Sequence, residues 1–321
     1  MTGATGFVGR RLVKRLVDDG HKVSVLVRDR RRLGELEELV DRVVEGDLTA
    51  DPDLSEAMSS VDCVFHLAAT VASHTPRGYY SANTEGTRLL AQAVASAATP
   101  PLIIYCSSLS AGGPSPDARP RTEEQPDEPV SHYGRSKLAG EKILGEFSSL
   151  RYAIVRPSIV YGPGDIEFYP RYSQMIRRGM MLTAVRSPRY SLVHVDDLCD
   201  ALLRAAFRGL SKEHVNGRVY YICDGVEYSL DGMGRALAEA LGVKMPRIVR
   251  VPLPLVWLSA WCGMNFARVR GTNTLLNLHK IPEMTCERWT CSPERAASEL
   301  GFSHSVEFSD GMAAAVAAEN K

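Results

Sequence analysis

The chain has 321 residues, and its 38 lysines and arginines balance its 38 aspartates and glutamates. This length allows a sizeable buried core, and the balanced charge gives no reason to expect nucleic acid as a partner. Seven cysteines without a CxxC pair favour reduced thiols over a disulfide framework or a zinc site, so we expect a cytoplasmic protein without a bound metal.

The first element is a glycine-rich loop, TGATGFVG at residues 2–9, followed directly by an amphipathic run that predicts a helix. Gly3, Gly6 and Gly9 allow a sharp turn and the close approach of a pyrophosphate to the helix N-terminus. Such a loop normally follows a buried strand, but only Met1 precedes Thr2 here. We therefore expect that Met1 is a misassigned start and that upstream residues form the strand.

Short β-rich runs and amphipathic stretches alternate over the next 150 residues or so. The runs predict strands at 23–27, 43–44, 63–67, 102–106 and 153–156, and the stretches predict helices at 35–40, 80–98 and 133–147. This alternation indicates an α/β fold with a Rossmann-type, doubly wound parallel sheet covered by helices on both faces.

The second half has a less regular rhythm, with predicted strands at 191–195 and 219–223 and a helix at 196–207. We expect a cofactor-binding domain at 1–165, to which 190–225 return, and a smaller substrate or lid domain at 166–189 and 226–321. The proline-rich stretch 112–132 predicts a long surface loop. The apolar run 251–267 is too short and contains too many prolines to cross a membrane. We expect a helix that covers a hydrophobic substrate pocket, and we favour this interpretation over attachment to a membrane surface.

The residues at the end of the predicted strand 23–27 should distinguish the two nicotinamide cofactors. An acidic side chain there would bind the adenosine ribose of NAD, whereas this chain has Val27 and then Arg28, with further arginines at 30–32. Guanidinium groups suit the 2′-phosphate of NADP(H), although a solvated basic turn explains them equally well. Asp47, after the next strand, is a candidate for the adenine amine or an ordinary turn residue.

The candidate catalytic residues are Ser108, Tyr133 and Lys137. Tyr133 and Lys137 are four residues apart on one predicted helix face, and a nearby ammonium would lower the pKa of the phenol from about 10. Ser108 follows a predicted strand, at the sheet edge where α/β proteins bind ligands. This arrangement would let Ser108 hold a substrate oxygen while Tyr133 transfers its proton.

At this point the chain resembles the extended short-chain dehydrogenase/reductase family, from Thr2 to about Phe302. The motifs that carry the resemblance occur in the family's order and are TGATGFVG (2–9), GDL (46–48), HLAA (66–69), NTEGT (83–87), CSSLSAGG (106–113), YGRSK (133–137), RPSIVYGPGD (156–165) and LVHVDDL (192–198).

The resemblance implies that Ser108, Tyr133 and Lys137 form a catalytic triad, with Lys137 also bonding the nicotinamide ribose. It implies that Asn83 supports the catalytic helix, although a purely structural role would explain this asparagine equally well. It also implies that the helices around 83–98 and 133–147 form the interface of a homodimer. The expected cofactor contacts are Gly3, Gly6, Phe7, Val8, Gly9, Arg28, Asp47, Leu48, Leu67, Ala68, Ala69, Tyr133, Lys137, Pro157, Ile159 and Val160.

The leading functional hypothesis is an NAD(P)-dependent oxidoreductase of the 3β-hydroxysteroid-dehydrogenase-like branch, acting on a secondary alcohol or ketone of an apolar small molecule. The cofactor would be NADP(H) or NAD(H), with a preference for NADP(H). The alternatives are a nucleotide-sugar 4-epimerase or dehydratase and a non-catalytic NADP-sensing regulator. Tyr190 and Ser191 stand where epimerases usually carry Arg-Asp, which weakens the sugar-nucleotide alternative.

Overall fold

The computed structural model describes residues 1–50, 54, 56–58, 60–211, 215–270 and 278–319. The strands are β1 Ser24–Val27, β2 Arg42–Glu45, β3 Cys63–His66, β4 Leu102–Cys106, β5 Tyr152–Pro157, β6 Ile159–Tyr161, β7 Met180–Thr183, β8 Arg189–Tyr190, β9 Leu192–His194, β10 Arg218–Ile222, β11 Tyr228–Ser229, β12 Arg247–Arg250 and β13 Arg288–Trp289. The helices are α1 Phe7–Asp18, α2 Pro76–Tyr80, α3 Gly86–Ala95, α4 Leu109–Gly112, α5 His132–Glu146, α6 Phe168–Arg177, α7 Val195–Leu210, α8 Leu230–Ala240, α9 Leu253–Val269, α10 Ile281–Met284 and α11 Phe308–Glu319.

The central sheet is parallel and has the strand order β10-β5-β4-β3. Strands β1 and β2 form a second parallel pair, and Thr2 joins it to the first through parallel bridges to Leu26 and His66. The amide of Thr2 donates to Phe65 at 3.0 Å, and the amide of Leu26 donates to the carbonyl of Met1 at 2.9 Å. Met1 and Thr2 thus hold the position between β1 and β3, and the fold is Rossmann-like. The expected upstream strand stays a prediction.

Both faces of the sheet are covered, as the near-continuous apolar strands predicted. Ile103 and Tyr105 of β4 pack in one cluster with residues of α3 and α5. Leu102 and Ile104 belong to the cluster that contains residues of α1 and α7. Because side chains alternate along a strand, a strand buried on both faces packs against two different helix layers. The catalytic and cofactor segments therefore leave a sheet that is held rigidly from both sides.

The predicted strands of the sheet are confirmed to within two residues, but two predicted helices are different. Residues 80–98 are divided into the end of α2, a π-helical turn Ser81–Glu85 and α3. Residues 35–40 contribute to a 3₁₀ turn, Gly34–Glu38, and not to an α-helix. Its hydrogen bonds join residues three apart, as from the amide of Leu39 to the carbonyl of Leu36 at 3.1 Å, which is the 3₁₀ pattern.

The C-terminal part has its own apolar cluster, built from residues of α6, α8 and α11. β7 pairs with β12, β6 with β9, and β8 lies between β11 and β13. Residues 218–222 return to the central sheet as β10, whereas the predicted strand at 191–195 is β9 and pairs with β6. None of the helices in the described ranges is long and apolar enough to cross a membrane.

The surface loop between α4 and α5 is fastened along its length. Arg121 is 1% exposed and donates to the carbonyls of Pro114 and Pro126 at 3.2 and 2.9 Å. Its backbone bridges Cys291. Glu123 accepts the amide of Tyr221 at 2.8 Å. The loop that joins the two halves of the candidate site is therefore anchored to the C-terminal part and to the sheet.

Candidate active site

Two glycines of the loop, Gly3 and Gly9, have no room for a side chain. Gly3 has φ of +74°, and a Cβ there would lie 2.7 Å from the amide nitrogen of Ala68. A Cβ on Gly9 would lie 2.0 Å from the carbonyl oxygen of Gly3. Phe7 and Val8 begin α1, whose first turn carries no acidic residue, so its N-terminus presents amides and a positive dipole end. This geometry fits a pyrophosphate.

The end of β1 carries the residues expected to read the adenosine ribose. Val27 is buried and Arg28 is exposed. Arg30 and Arg31 are held by carboxylates, since Arg30 Nε lies 2.6 Å from Glu37 and Arg31 Nε lies 2.9 Å from Asp29. No ion pair within 4.0 Å involves Arg28 in the described part of the chain. Of the predicted basic run, Arg28 and Arg32 thus have no ion pair among the described residues and are available for an anionic ligand.

Asp47 lies at the end of β2, and buried Leu48 follows it. The amide and hydroxyl of Thr49 both donate to Asp47 Oδ1 at 2.9 Å, and together with the charge of Arg28 they lower the pKa of Asp47. Asp47 is thus an anionic turn residue beside Arg28, and its second carboxylate oxygen has no hydrogen bond from the described residues.

The end of β3 lies against the glycine loop. The amide of Ala68 donates to Thr2 Oγ1 at 3.2 Å, and that of Leu67 to the carbonyl of Thr2 at 3.3 Å. Ala69 is exposed. His66 bridges Thr2 Oγ1 at 2.7 Å and Thr87 Oγ1 at 2.9 Å, and its burial lowers the pKa of the imidazole to about 3. A neutral histidine therefore fixes this end of the loop.

The segment after β5 lines the same edge of the sheet. Pro157 ends β5, and Ile159 and Val160 begin β6, both half-buried. Between them Ser158 Oγ is buried without a hydrogen-bond partner among the described residues. A Cβ on Gly164 would lie 3.8 Å from the ring of Phe7, so this segment returns to the start of α1. An unpaired hydroxyl at this place is consistent with a bound polar ligand.

The candidate catalytic side chains meet at the carboxyl end of β4. Ser108 caps α4, accepting the amide of Ser110 at 3.1 Å, and its side chain is near enough to the hydroxyl of Tyr133 to affect the pKa of the phenol. Lys137 is fully buried one turn after Tyr133, and its Nζ donates to the carbonyl of Cys106 at 2.9 Å. The structure therefore brings the three predicted residues together.

The electrostatics differ from the sequence argument in one respect. Burial raises the pKa of Tyr133 well above its usual value, and the nearby Ser108 side chain opposes this only in part. Burial also lowers the pKa of Lys137 to about 8. The expected lowering of the tyrosine pKa by Lys137 is not present in this state, because the ammonium is held by Cys106 and lies 4.1 Å from the centre of the Tyr105 ring. Tyr133 is therefore a protonated phenol here.

Two glycines let the catalytic helix α5 pack closely against its neighbours. A Cβ on Gly134 would lie 2.1 Å from the carbonyl of Ser110, and one on Gly140 would lie 2.5 Å from the carbonyl of Asn83. Asn83 Oδ1 accepts the amide of Thr70 at 2.7 Å, and Nδ2 donates to Ser136 Oγ at 2.9 Å. Asn83 thus connects the segment after β3 to α5, which is the structural role weighed above.

An ionic network behind α5 was missed by the sequence interpretation. Arg156 of β5 is 3% exposed and donates through Nε to Glu141 at 2.9 Å and through Nη1 to Asp127 at 2.6 Å. Glu141 also accepts a hydrogen bond from Ser107, the residue before Ser108. No short motif links these positions, so only the fold could show that they support the catalytic helix.

Residues of the C-terminal part also reach the site. Lys280 Nζ lies 5.3 Å from the centre of the Tyr133 ring. The charge of Lys280 also acts on Glu167, whose pKa is raised by burial. Ser131 caps α5, accepting the amide of Gly134 at 2.9 Å, and donates to Glu283 Oε1 at 2.5 Å. The site is therefore closed by a segment about 150 residues distant in sequence, which no sequence signal indicated.

A comparison with protein families matches residues 1–222 to the NAD dependent epimerase/dehydratase family. The chain belongs to this family. It is a member of the extended short-chain dehydrogenase/reductases, a group of NAD-dependent reductases, dehydrogenases and epimerases. The predicted family and fold class are therefore confirmed.

Two curated members of the group match over nearly their whole length. A ceramide reductase of Caulobacter vibrioides is 29% identical, with 96% of this chain and 93% of that protein covered. The 4-hydroxy-2-methyl-3-oxo-4-farnesyl-3,4-dihydroquinoline-1-oxide ketoreductase of Stigmatella aurantiaca is 27% identical, with 97% and 93% covered.

A solved structure with the same fold is the UDP-glucose 4-epimerase of Thermus thermophilus in complex with NAD. It is 20% identical, with a TM-score of 0.77 and coverage of 99% of this chain and 97% of that one. At this identity the similarity shows the fold alone.

Proposed function

We propose that the protein is a reductase or dehydrogenase that interconverts a ketone and a secondary alcohol on a largely apolar small molecule, with NADP(H) as the preferred cofactor. The observation that carries the proposal is the meeting of Ser108, Tyr133 and Lys137 at the carboxyl end of β4. Bound there, the nicotinamide supplies or accepts a hydride. The protein residues must then hold the substrate oxygen and move one proton.

Tyr133 is the proton donor in the reducing direction. Its raised pKa keeps the phenol protonated, and Ser108 lies beside it. Ser108 holds the same substrate oxygen. Lys137 carries a pKa of about 8, so its charge changes near neutral pH and it is suited to bonding a ribose hydroxyl and stabilising the phenolate after transfer. The cofactor-binding roles of Gly3, Gly6, Gly9, Ala68 and Pro157 belong to the same proposal.

Tyr190 and Ser191, which stand where epimerases usually carry Arg-Asp, favour an apolar substrate over a sugar nucleotide. Tyr190 packs with the apolar clusters of the C-terminal part. Ser191 is buried, and its hydroxyl accepts the amide of Cys291 at 3.2 Å. Both side chains are used in packing, and neither offers the cation that a diphosphate needs. The names of the two curated relatives specify molecules with long apolar chains.

The substrate class is tested by incubating the purified protein with NADPH and ketones that differ in apolar length, including a 3-oxo steroid and a long-chain 3-oxoacyl amide. Absorbance at 340 nm reports reduction, and mass spectrometry identifies the alcohol. We expect turnover with at least one apolar ketone. Conversion of UDP-glucose to UDP-galactose without net change of the nucleotide would establish the epimerase instead.

The cofactor preference is tested with Arg28→Ala and the matched control Arg31→Ala, whose side chain is already paired with Asp29. Loss of one charge-assisted hydrogen bond should weaken NADPH binding about 10- to 100-fold for Arg28→Ala and leave NADH binding nearly unchanged. Arg31→Ala should behave like the parent protein. Equal affinities of the parent for NADH and NADPH would refute the preference.

A further inference from the structure

The apolar helix α9 lies on the surface of the protein. Its side chains in the described range are almost all apolar. Because successive residues are about 100° apart around the helix axis, the exposed apolar side chains cover about half of the helix circumference. The exposed apolar side chains are Leu253, Leu255, Trp257, Leu258, Trp261 and Phe266, with exposed fractions of 44, 54, 49, 55, 55 and 59%. Val256 and Ala260 are buried and attach the helix to the protein.

Such a helix needs a covering partner. A helix that is apolar on all sides is normally buried in a core or in lipid, and contiguous exposed apolar patches of this kind mark interaction sites. Two of the three tryptophans of the chain lie on this face, whereas Trp289 is only 8% exposed. Indole rings are enriched where one surface is apolar and the next is polar, as at the headgroup level of a bilayer.

The sequence around α9 is basic, although the whole chain is neutral. Between Glu239 and Glu283 the sequence contains six lysines and arginines and no acidic residue, and one of the six, Lys280, lies near Tyr133 in the candidate site. Lys244, Arg247 and Arg250 are exposed before the helix. Arg270 follows it, with its guanidinium carbon 4.2 Å from the centre of the Phe266 ring. Cations thus occupy both ends of the apolar face.

Strand β12 comes directly before α9 in the chain, with two residues between them. It pairs with β7 on one side, and all four of its residues are exposed, with Ile248 and Val249 each 41% exposed. Its two arginines and two apolar residues repeat the composition seen around the helix. We name α9 and β12 together the basic-apolar face.

We propose that the basic-apolar face lies flat on an anionic lipid bilayer. The apolar half of α9 would enter the region between headgroups and acyl chains, with its tryptophans at the boundary. Lysines and arginines near such a surface each gain attraction from anionic headgroups, and the absence of carboxylates removes the repulsion. Because α9 has 17 residues and lies against the protein along one side, this placement is in the plane of the membrane.

A second copy of the chain is a poorer occupant. A two-fold interface would place the same patch on both sides, and so bring two sets of cations together without an acidic residue from either face. The cost of opposing like charges disfavours this assembly. The anionic surface of a membrane supplies the complementary charge that a second copy lacks.

The proposal is tested with the whole protein and vesicles of phosphatidylcholine alone or with about 30% phosphatidylglycerol. Co-sedimentation should be weak with the first and strong with the second, and should fall as salt is raised. Tryptophan emission should shift to shorter wavelength on binding. These readouts do not depend on catalysis, so they are independent of the proposed function.

Two variants and one control identify the face. Trp261→Ser with Leu258→Ser should reduce the bound fraction at least tenfold, and Arg247→Glu with Arg250→Glu should remove the preference for phosphatidylglycerol. The control is Phe207→Ser on α7, which changes an aromatic residue about as exposed as Trp257 that packs near His21. This variant should bind vesicles like the parent. Circular dichroism verifies that each variant is folded.

Three outcomes would overturn the proposal. The first is equal binding of the parent and the Trp261/Leu258 variant. The second is no vesicle binding by the parent together with a dimer that this variant dissociates, which would make the face a contact between copies. The third is no vesicle binding by the parent together with a Trp261/Leu258 variant that differs from the parent only in its KM for an apolar substrate. This result would make α9 a cover of the substrate pocket.

Discussion

Tyr133 is held in its protonated form, which is the form that a proton donor needs. Burial disfavours the phenolate more than the nearby Ser108 side chain stabilises it, so the pKa of the phenol is raised. Lys137, one turn later, is directed to the carbonyl of Cys106 and has a pKa of about 8. A substrate oxygen beside Ser108 would therefore meet a neutral donor whose conjugate base needs a nearby cation.

Removal of that donor should abolish most of the chemistry. Tyr133→Phe keeps the ring and loses the hydroxyl, so we expect kcat to fall about 10²- to 10⁴-fold with little change in cofactor affinity. Steady-state kinetics and nucleotide titration measure the two effects. Tyr152→Phe, at the start of β5, is the control and should retain activity. Unchanged biological function of Tyr133→Phe would support the regulator alternative instead.

Gly9 tests the glycine loop with a single methyl group. A Cβ there would lie 2.0 Å from the carbonyl of Gly3, so Gly9→Ala must displace the loop. We expect dinucleotide affinity to fall at least tenfold, as measured by isothermal titration calorimetry. Gly232→Ala in α8 is the matched control, because its Cβ would meet only the Ser229 hydroxyl at 3.3 Å and alanine is the better helix former. Equal affinities in both variants would argue against a pyrophosphate role.

At the scale of elements, α5 is fixed by groups from four separate segments. Asn83 holds it to the turn before α3, Gly134 lets it approach α4, and Arg156 joins Glu141 to Asp127 in the anchored loop. Burial of the arginine between two carboxylates leaves each charge with a partner. Such a network is costly to open, because a remaining buried charge would be uncompensated.

Arg156→Met should therefore destabilise the fold by about 3–5 kcal/mol, whereas the double variant with Glu141→Met should be less destabilised than the sum of the single variants. Urea unfolding monitored by circular dichroism measures these free energies. The exposed pair Arg15 and Asp19 is the control, and Arg15→Ala should cost less than about 1 kcal/mol. Additive effects at Arg156 and Glu141 would mean that the two residues are not coupled.

Local patterns account for the parts of this structure that were predicted. Strands buried on both faces, the glycine loop and the four-residue spacing of Tyr133 and Lys137 are each encoded within a short segment. The network of Asp127, Glu141 and Arg156 and the approach of Lys280 to Tyr133 depend on residues that only tertiary packing brings together. The division of residues 80–98 likewise depends on packing, since it places Asn83 against two other elements.

At the scale of the whole molecule, the two parts of the sheet meet at Thr2, and His66 fastens this junction to α3. The imidazole is fully buried, and its pKa is lowered to about 3 from 6.5. The unfolded chain therefore binds a proton that the native protein does not. Stability is lost as the pH falls from about 6.5 toward 3 and is unaffected by this group at higher pH.

His66→Gln should be less stable at pH 7, since it alters the hydrogen bonds to Thr2 and Thr87. The difference in unfolding free energy between the parent and this variant should narrow as the pH falls from about 6.5 to 4, because the variant has no imidazole to protonate. Chemical denaturation across this range measures the difference. If the difference in unfolding free energy stays constant across this pH range, protonation of His66 does not contribute to acid unfolding.

The hydrogen bond between Ser131 and Glu283 has a consequence for how the enzyme works as a whole. The same serine side chain caps the helix that carries Tyr133, two residues further along. A ligand that draws α10 inward or pushes it away therefore alters the support of the catalytic helix at its first turn. The position of α10 and the support of Tyr133 are in this way coupled through a single side chain.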